Sequence, residues 1–354
     1  MKKVVCLIEH LGSGGAERQV CYLASFLKKN GYQVELWTYL PNDFYKYILD
    51  EAGVSYRCIS EAESKYKRIF VIKKELQKAK PDVVISYLAT PSIVACICKL
   101  LGGQFKLIVS DRNTTQKMTI RTRIQFFLFR FADWIVPNSH SQARFIKTKY
   151  SYLSNKVRCI TNYIDTEKFQ PIENKISSMP LKILTVARVM PQKNFIQYMK
   201  AIRLVVDRGY ADFKIEWVGQ SLGDDYFNRC MSVVKELQLD NYVTYSPQNQ
   251  NIIEKYQSAD IFCLPSLYEG FPNVICEAMS CGLPILCSNV CDNPNIVTVE
   301  NGILFSPTDV NDMADAIIRM LSINDYSQYA KRNRLRAKEI FSQQKFINAY
   351  MSLI

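Results

Sequence analysis

The chain has 354 residues, 48% apolar and 22% charged. That suits about two globular domains, each burying its own core. No run approaches the ~18 apolar residues of a membrane-spanning helix, because the best candidate, 93–98, stops at Lys99. The net charge of +12 is uneven: residues 1–170 carry 27 Lys and Arg against 14 Asp and Glu, and residues 171–354 carry 18 against 19. A basic half suits nucleic acid, anionic lipid or a phosphorylated substrate, and no nucleic-acid recognition motif supports the first. Twelve scattered cysteines without a Cys-x-x-Cys, and only two histidines, His10 and His140, argue against a zinc site. They read as reduced core thiols of a cytosolic chain. The N-terminal apolar run is too short for a signal peptide and reads as a first strand.

Taken in order, 4–8 reads as a strand, 16–29 as a helix and 33–39 as a strand. Then follow a helix at 69–79, a strand at 82–87, a helix at 92–101 and a strand at 106–110. A helix at 119–132, a strand at 134–137 and a helix at 141–148 complete the first half. Residues 166–180 are polar, are punctuated by Pro171 and Pro180, and read as a linker. The pattern then restarts, with strands at 182–187, 213–218, 243–245, 261–264 and 284–287. Helices are expected at 195–208, 225–237, 252–257, 310–321, 326–341 and 344–353. Alternation at this spacing means βαβ units, parallel sheets and an α/β fold.

The chemistry concentrates at strand exits. Glu269-Gly-Phe-Pro-Asn-Val-Ile-Cys-Glu277 sets two carboxylates eight positions apart, where a strand feeds a helix N-terminus and open α/β sheets bind ligands. A carboxylate accepts two hydrogen bonds, as the paired hydroxyls of a ribose or hexose offer; two solvated surface carboxylates are the plain alternative. In Thr185-Val-Ala-Arg188-Val-Met-Pro-Gln-Lys193-Asn194 two cations stand near a helix start, where fixed positive charge suits an anionic group. The plain alternative for Lys193 is a solvated helix-start lysine. In Gly12-Ser13-Gly14-Gly15-Ala16-Glu17-Arg18 glycines let a ligand approach the backbone, or simply make a tight turn. A dinucleotide fingerprint would need glycine at position 17, where Glu17 stands. Arg112 and Asn113, in Ser110-Asp111-Arg112-Asn113, either contact a sugar or acceptor or belong to a surface loop. His10 either reaches the site or is a satisfied structural histidine, the commoner use, and His140 reads as a helix-start surface residue. No Asp-x-Asp occurs to hold a divalent ion, Asp224 and Asp225 being adjacent, so neither metal nor other cofactor is expected. Two basic amphipathic stretches suit an anionic lipid surface: 65–80, with seven cations, and 121–134. Ordinary packing on the sheet is the alternative, and is favoured for 126–131.

The phrase Pro265-Ser-Leu-Tyr-Glu-Gly-Phe-Pro-Asn-Val-Ile-Cys-Glu-Ala-Met-Ser-Cys-Gly-Leu-Pro284 resembles the signature of glycosyltransferase family 4, retaining enzymes that use nucleotide sugars. Gly14-Gly15-Ala16-Glu17-Arg18 is similar to its polysaccharide-building members, and Ser110–Asn113 to a Ser-Glu-Arg-Asn variant in cell-surface glycan transferases. Ala187 stands where the family usually has glycine, and the histidine common after the fourth strand is missing. The resemblance implies the GT-B architecture, two Rossmann-like doubly wound domains facing a central cleft. Residues 1–165 would form the acceptor side, 166–180 the linker and 181–335 the nucleotide-sugar domain, with 336–354 packing back on the first domain. It implies catalytic roles for Glu269, Arg188 and Lys193. Donor contacts would come from Glu277, which holds the ribose, and from Gly270, Phe271, Pro272, Asn273, Gly14 and Gly15. Arg112, Asn113 and His10 would lie on the acceptor side. The implied activity is metal-independent, retaining transfer of a hexose or N-acetylhexosamine from a nucleotide sugar, taken as UDP-linked, to a polyprenyl-linked capsule or O-antigen glycan. The chain would work in the cytoplasm, peripheral to the inner face of the plasma membrane. The alternatives are a GT-B nucleotide- or glycan-binding scaffold without activity, or a GT-B nucleotide-sugar epimerase.

Overall fold

The computed structural model describes residues 1–59, 65–173, 179–221, 223, 225–247 and 251–354, with residues 65 and 66 described in backbone only. Part of the expected linker (174–178), Asp224, and the Lys65 and Tyr66 side chains of the basic run lie outside the described residues. The chain divides into unit 1, Met1–Tyr163 with Gln343–Ile354, and unit 2, Ile164–Ser342.

Unit 1 contains β1 (Lys3–Leu7), α1 (Gly15–Lys29), β2 (Gln33–Thr38), α2 (Lys46–Glu51), β3 (Ser55–Cys58), α3 (Lys65–Ala79), β4 (Val83–Tyr87), α4 (Ala89–Leu100), β5 (Lys106–Asp111), α5 (Ile120–Leu128), β6 (Trp134–Pro137) and α6 (His140–Lys149). Its strands pair in parallel in the order β3-β2-β1-β4-β5-β6. Period-two alternation in near-continuous apolar strands supplies both faces. Val4, Cys6, Val83, Ile85 and Tyr87 enter one core, whereas Val5, Leu7, Val84, Leu107 and Val109 enter the other.

Unit 2 contains β7 (Leu181–Val186), α7 (Phe195–Asp207), β8 (Phe213–Val218), α8 (Asp225–Glu236), β9 (Val243–Ser246), α9 (Ile252–Ser258), β10 (Ile261–Leu264), α10 (Asn273–Ser280), β11 (Ile285–Ser288), α11 (Asn293–Ile296), β12 (Gly302–Phe305), α12 (Val310–Leu321) and α13 (Ser327–Ile340). The order β12-β11-β10-β7-β8-β9, all parallel, is that of unit 1 counted afresh. In each unit the order reverses between the first and fourth strands. That switch point is where doubly wound sheets open a crevice at the carboxyl ends.

The C-terminal segment divides differently from the expected 336–354. α13 stays in unit 2, where Phe341 meets the edge of Phe271 at 6.0 Å. Only α14 (Gln343–Met351) and the last residues join unit 1. There Phe346, Ile347 and Tyr350 enter the core beside α1, and the Lys2 and Lys106 ammonium groups hold the terminal carbonyls of Ile354 and Leu353 at 2.9 and 3.0 Å.

Four short elements, α2, β3, α11 and β12, go beyond the sequence pattern. β12 opens on Gly302, which reads as a turn residue, yet a Cβ there would lie 2.4 Å from the Ile285 carbonyl oxygen. The glycine is thus what lets this strand pair. The helix expected over 119–132 stops at Leu128 and tightens into a 3-10 turn, Phe129–Phe131. Among the described residues no helix is long and apolar enough to cross a membrane.

Candidate active site

At the switch point of unit 2, the loops leaving the adjacent strands β7 and β10 are tied to each other. Behind β7, the Ala187 carbonyl accepts from the Trp217 indole N–H at 2.8 Å, and the Ala187 N–H donates to Val218. Gly219 is required alongside, since its Cβ would sit 2.0 Å from the Ala187 oxygen. The exposed Arg188 therefore springs from a rigid base. A 3-10 turn, Pro191–Lys193, follows, and Asn194 starts α7 in the left-handed region at φ 61°. Asparagine tolerates that conformation. Its side-chain amide donates to the carbonyls of Pro265 and Pro307 at 3.1 and 2.8 Å. The Gln192 carbonyl accepts from the Leu267 N–H and its side chain donates to the Tyr268 carbonyl, both at 2.8 Å.

This lacing brings the Lys193 ammonium to 2.6 Å from the Glu269 carboxylate. Glu269 is only 6% exposed, so solvent screens the pair poorly and loss of either partner leaves a buried charge uncompensated. The Glu269 N–H reaches the Cys291 sulfur at 3.4 Å. Past Gly270, Phe271 and Pro272 are buried and α10 begins at Asn273. The Asn273 N–H donates to the Phe271 carbonyl at 3.0 Å. Glu277, one turn into α10, is buried and accepts from the fully buried Tyr256 hydroxyl at 2.9 Å.

The strand exits of unit 1 are built differently. The Gly12 N–H donates to His10 Nδ1 at 3.0 Å, and His10 lies 3.8 Å from the Glu17 carboxylate. Glu17, in the first turn of α1, folds back so closely that a Cβ on Gly14 would sit 2.2 Å from its oxygen. Gly14 precedes the first turn of α1, and Gly15 opens the helix exposed. Arg112, expected on the acceptor side, is 6% exposed and its guanidinium is already occupied. Nε donates to Ser110 at 2.7 Å, Nη1 to Asn162 at 2.7 Å, and Nη2 to the hydroxyls of Tyr87, at 2.9 Å, and Tyr350. It also stacks 4.4 Å over the Tyr87 ring. Tyr350 lies on α14, so Arg112 fastens the C-terminal helix to the sheet. Asn113 remains exposed. Asp111, buried beside it, accepts from Gln142 at 2.8 Å, and burial pushes its carboxyl up to about 6 against that bond and the Asn113 N–H.

Family models match both halves. Residues 13–168 match the model described as Glycosyltransferase Family 4, and residues 166–338 that of Glycosyl transferases group 1. The chain belongs to glycosyltransferase family 4. An uncharacterized glycosyltransferase of Haemophilus influenzae is 25% identical over the full length of both chains. A Campylobacter jejuni enzyme, N-acetylgalactosamine-N,N'-diacetylbacillosaminyl-diphospho-undecaprenol 4-alpha-N-acetylgalactosaminyltransferase, is 23% identical, over 96% of this chain and 95% of its own. The UDP-Gal:alpha-D-GlcNAc-diphosphoundecaprenol alpha-1,3-galactosyltransferase of Escherichia coli is 27% identical over 72% and 70%. Among solved structures, Anabaena Alr3699/HepE in complex with UDP superposes with a TM-score of 0.85 at 18% identity, over 99% of each chain. The fold is GT-B.

Within this family-4 glycosyltransferase, unit 2 gathers Lys193, Glu269 and the Gly270–Asn273 loop, with Arg188 and Glu277 on the same two strand exits. Sequence reasoning missed the residues that position them: Tyr256, Gln192, Asn194 and Cys291. Asn194 carried a faint signal, a polar residue directly before a helix. Tyr256 carried none, because its tie to Glu277 spans 21 residues.

Proposed function

We propose that this glycosyltransferase is retaining and metal-independent, and that it moves a hexose or N-acetylhexosamine from a UDP-sugar onto a growing polyprenyl-linked glycan of capsule or O-antigen type. Unit 2 takes the donor and unit 1 the acceptor. The observation that carries this reading is the partly buried Lys193–Glu269 pair at 2.6 Å, held at a switch point on the same strand exit as Arg188. As the bond from the sugar C1 to the diphosphate breaks, its electron pair leaves on the diphosphate oxygen. Lys193 and Arg188 stabilise that charge, and because the pair with Glu269 fixes Lys193 beforehand, little reorganisation accompanies the step. The acceptor oxygen bonds C1 from the same face, and its proton passes to the departing phosphate oxygen. Glu269 is therefore cast as a positioning group and sugar contact rather than a covalent nucleophile. Glu277, held by Tyr256, accepts from the ribose hydroxyls. Gly270, Phe271, Pro272 and Asn273 shape the sugar pocket, Gly14 and Gly15 contact the donor, and Asn113 and His10 line the acceptor side.

Two cations and no Asp-x-Asp in the sequence support transfer without a metal. The undecaprenol-linked substrates in the names of two relatives, and the UDP in the Anabaena structure, support the acceptor and donor classes. A lipid-linked acceptor would bring the chain to the inner face of the plasma membrane. The test is calorimetric titration with UDP, GDP and ADP in EDTA, on the wild type and on Glu277→Ala and Arg188→Ala. Micromolar UDP binding, weakened about tenfold by either change (~1.4 kcal/mol), is expected. A folded protein that binds none of the three, or binds only after a divalent ion is restored, would sink the donor site or its metal independence.

A further inference from the structure

We infer that α5 docks on a membrane, its outer face entering the headgroup layer of an anionic bilayer. The helix is buried on one side and exposes apolar residues on the opposite one. Its inner side, Gln125 and Phe126, is buried against unit 1. Its outer side exposes Ile120 at 79%, Ile124 at 51% and Phe127 at 52%, with Met118 just before it at 36%. At about 100° per residue the three fall within an arc of about 60°, opposite Gln125 and Phe126. Exposed Arg121 and Arg123 flank the stripe on either side, and Arg130 stacks 5.3 Å from the Phe127 ring. No Asp or Glu occurs between Asp111 and Asp133.

Single exposed apolar residues need no explanation, but a contiguous stripe does. An apolar stripe with an all-cationic border has the chemistry of an interfacial helix, whose apolar side enters the lipid while its cations meet anionic headgroups. A second copy fits poorly, since pairing two stripes would bring Arg121 and Arg123 against their own kind. The longer basic helix, α3, is the weaker candidate. Its Arg68 is buried, stacked 4.6 Å from the Tyr39 ring, and Phe70 is its lone strongly exposed apolar side chain among those described. The inference deepens the proposed lipid-linked acceptor into a contact with the bilayer itself, and rests on that reading only for its biological sense.

The full chain is sedimented with vesicles of phosphatidylcholine containing phosphatidylglycerol, and with phosphatidylcholine alone. Preference for the anionic vesicles is expected, as is a loss of about tenfold or more in Ile120→Ser/Ile124→Ser/Phe127→Ser. These side chains are exposed, so the melting temperature should hold. Arg121→Gln/Arg123→Gln should bind less, with a weaker salt dependence. Undiminished vesicle binding by the triple variant, a wild type that ignores both vesicles, loss through Lys73→Gln/Lys74→Gln alone, or a wild-type dimer that the triple variant abolishes would each overturn the inference. UDP titration of the same samples keeps the readings apart. Failure of UDP binding strikes the donor site and leaves the vesicle result standing, and the converse holds.

Discussion

The two units order their strands alike and turn over at the same place, yet their switch points carry opposite chemistry. In unit 2 the loops after β7 and β10 are laced by Gln192 and Asn194, and present ionised groups: Arg188, and Lys193 paired with Glu269. In unit 1 the loop after β1 presents glycines and a first-turn carboxylate folded back on Gly14. The nearby guanidinium of Arg112 is turned inward to hold α14. One topology thus supplies a location twice, and the strand-exit residues decide whether it becomes a charged, prearranged pocket or a permissive surface. The positive charge of unit 1 lies mostly elsewhere, on helices such as α5.

The largest test of that contrast is catalytic. Arg188→Ala, Lys193→Met and Glu269→Gln should each lower turnover about 10²–10³-fold in a sugar-transfer assay, with far-UV circular dichroism unchanged, while His10→Ala in unit 1 costs less than about tenfold. Equal losses would erase the distinction. Next comes stability. Arg112→Leu leaves Asn162 and the Tyr87–Tyr350 pair without their buried partner, and should destabilise unit 1 by about 3 kcal/mol. Chemical denaturation would measure that loss and hydrogen exchange would show faster opening of α14, with UDP affinity within about twofold of wild type. Tyr256→Phe removes one hydrogen bond to the Glu277 carboxylate, worth about 1.5 kcal/mol. Calorimetry should find UDP binding weaker by up to about tenfold, and no change would mean that Glu277 does not depend on Tyr256.

A pH dependence of stability is expected as well. Asp111 holds its proton more tightly folded, near 6, than unfolded, near 3.9. Its contribution to stability is therefore present below about 4 and lost as pH rises through about 6. Thermal melts between pH 4 and 8 should show a decline of a few degrees that Asp111→Asn flattens. An unchanged slope would assign the pH dependence to other groups.

Much of the fold was legible, because buried parallel strands leave continuous apolar runs and their helices a 3.6-residue period. The elements that escaped are short: β3 on a sheet edge with mostly exposed side chains, and β12 behind a glycine that reads as a turn. The C-terminal division escaped too, since the patterns of α13 and α14 look alike and only packing tells that one stays with α10 while the other crosses to α1. The placing of Arg188, Lys193, Glu269 and Glu277 after β7 and β10 was readable from the spacing. The partners of Arg112 were not legible, for an arginine at a strand exit has one appearance in sequence whether it faces a ligand or a tyrosine pair.

By itself, the sequence determined the α/β alternation, the family, the excess charge of the first half and the residues placed at the strand exits. These are local or additive properties, written in periodicity, composition and short motifs. Only the tertiary structure decided that Lys193 meets Glu269 across 76 positions, that Tyr256 holds Glu277, that Tyr350 captures Arg112 across 238, and that one face of α5 is buried while the opposite, apolar one meets solvent. Partners distant in the chain and the direction of a side chain depend on how elements pack, and no local pattern encodes them.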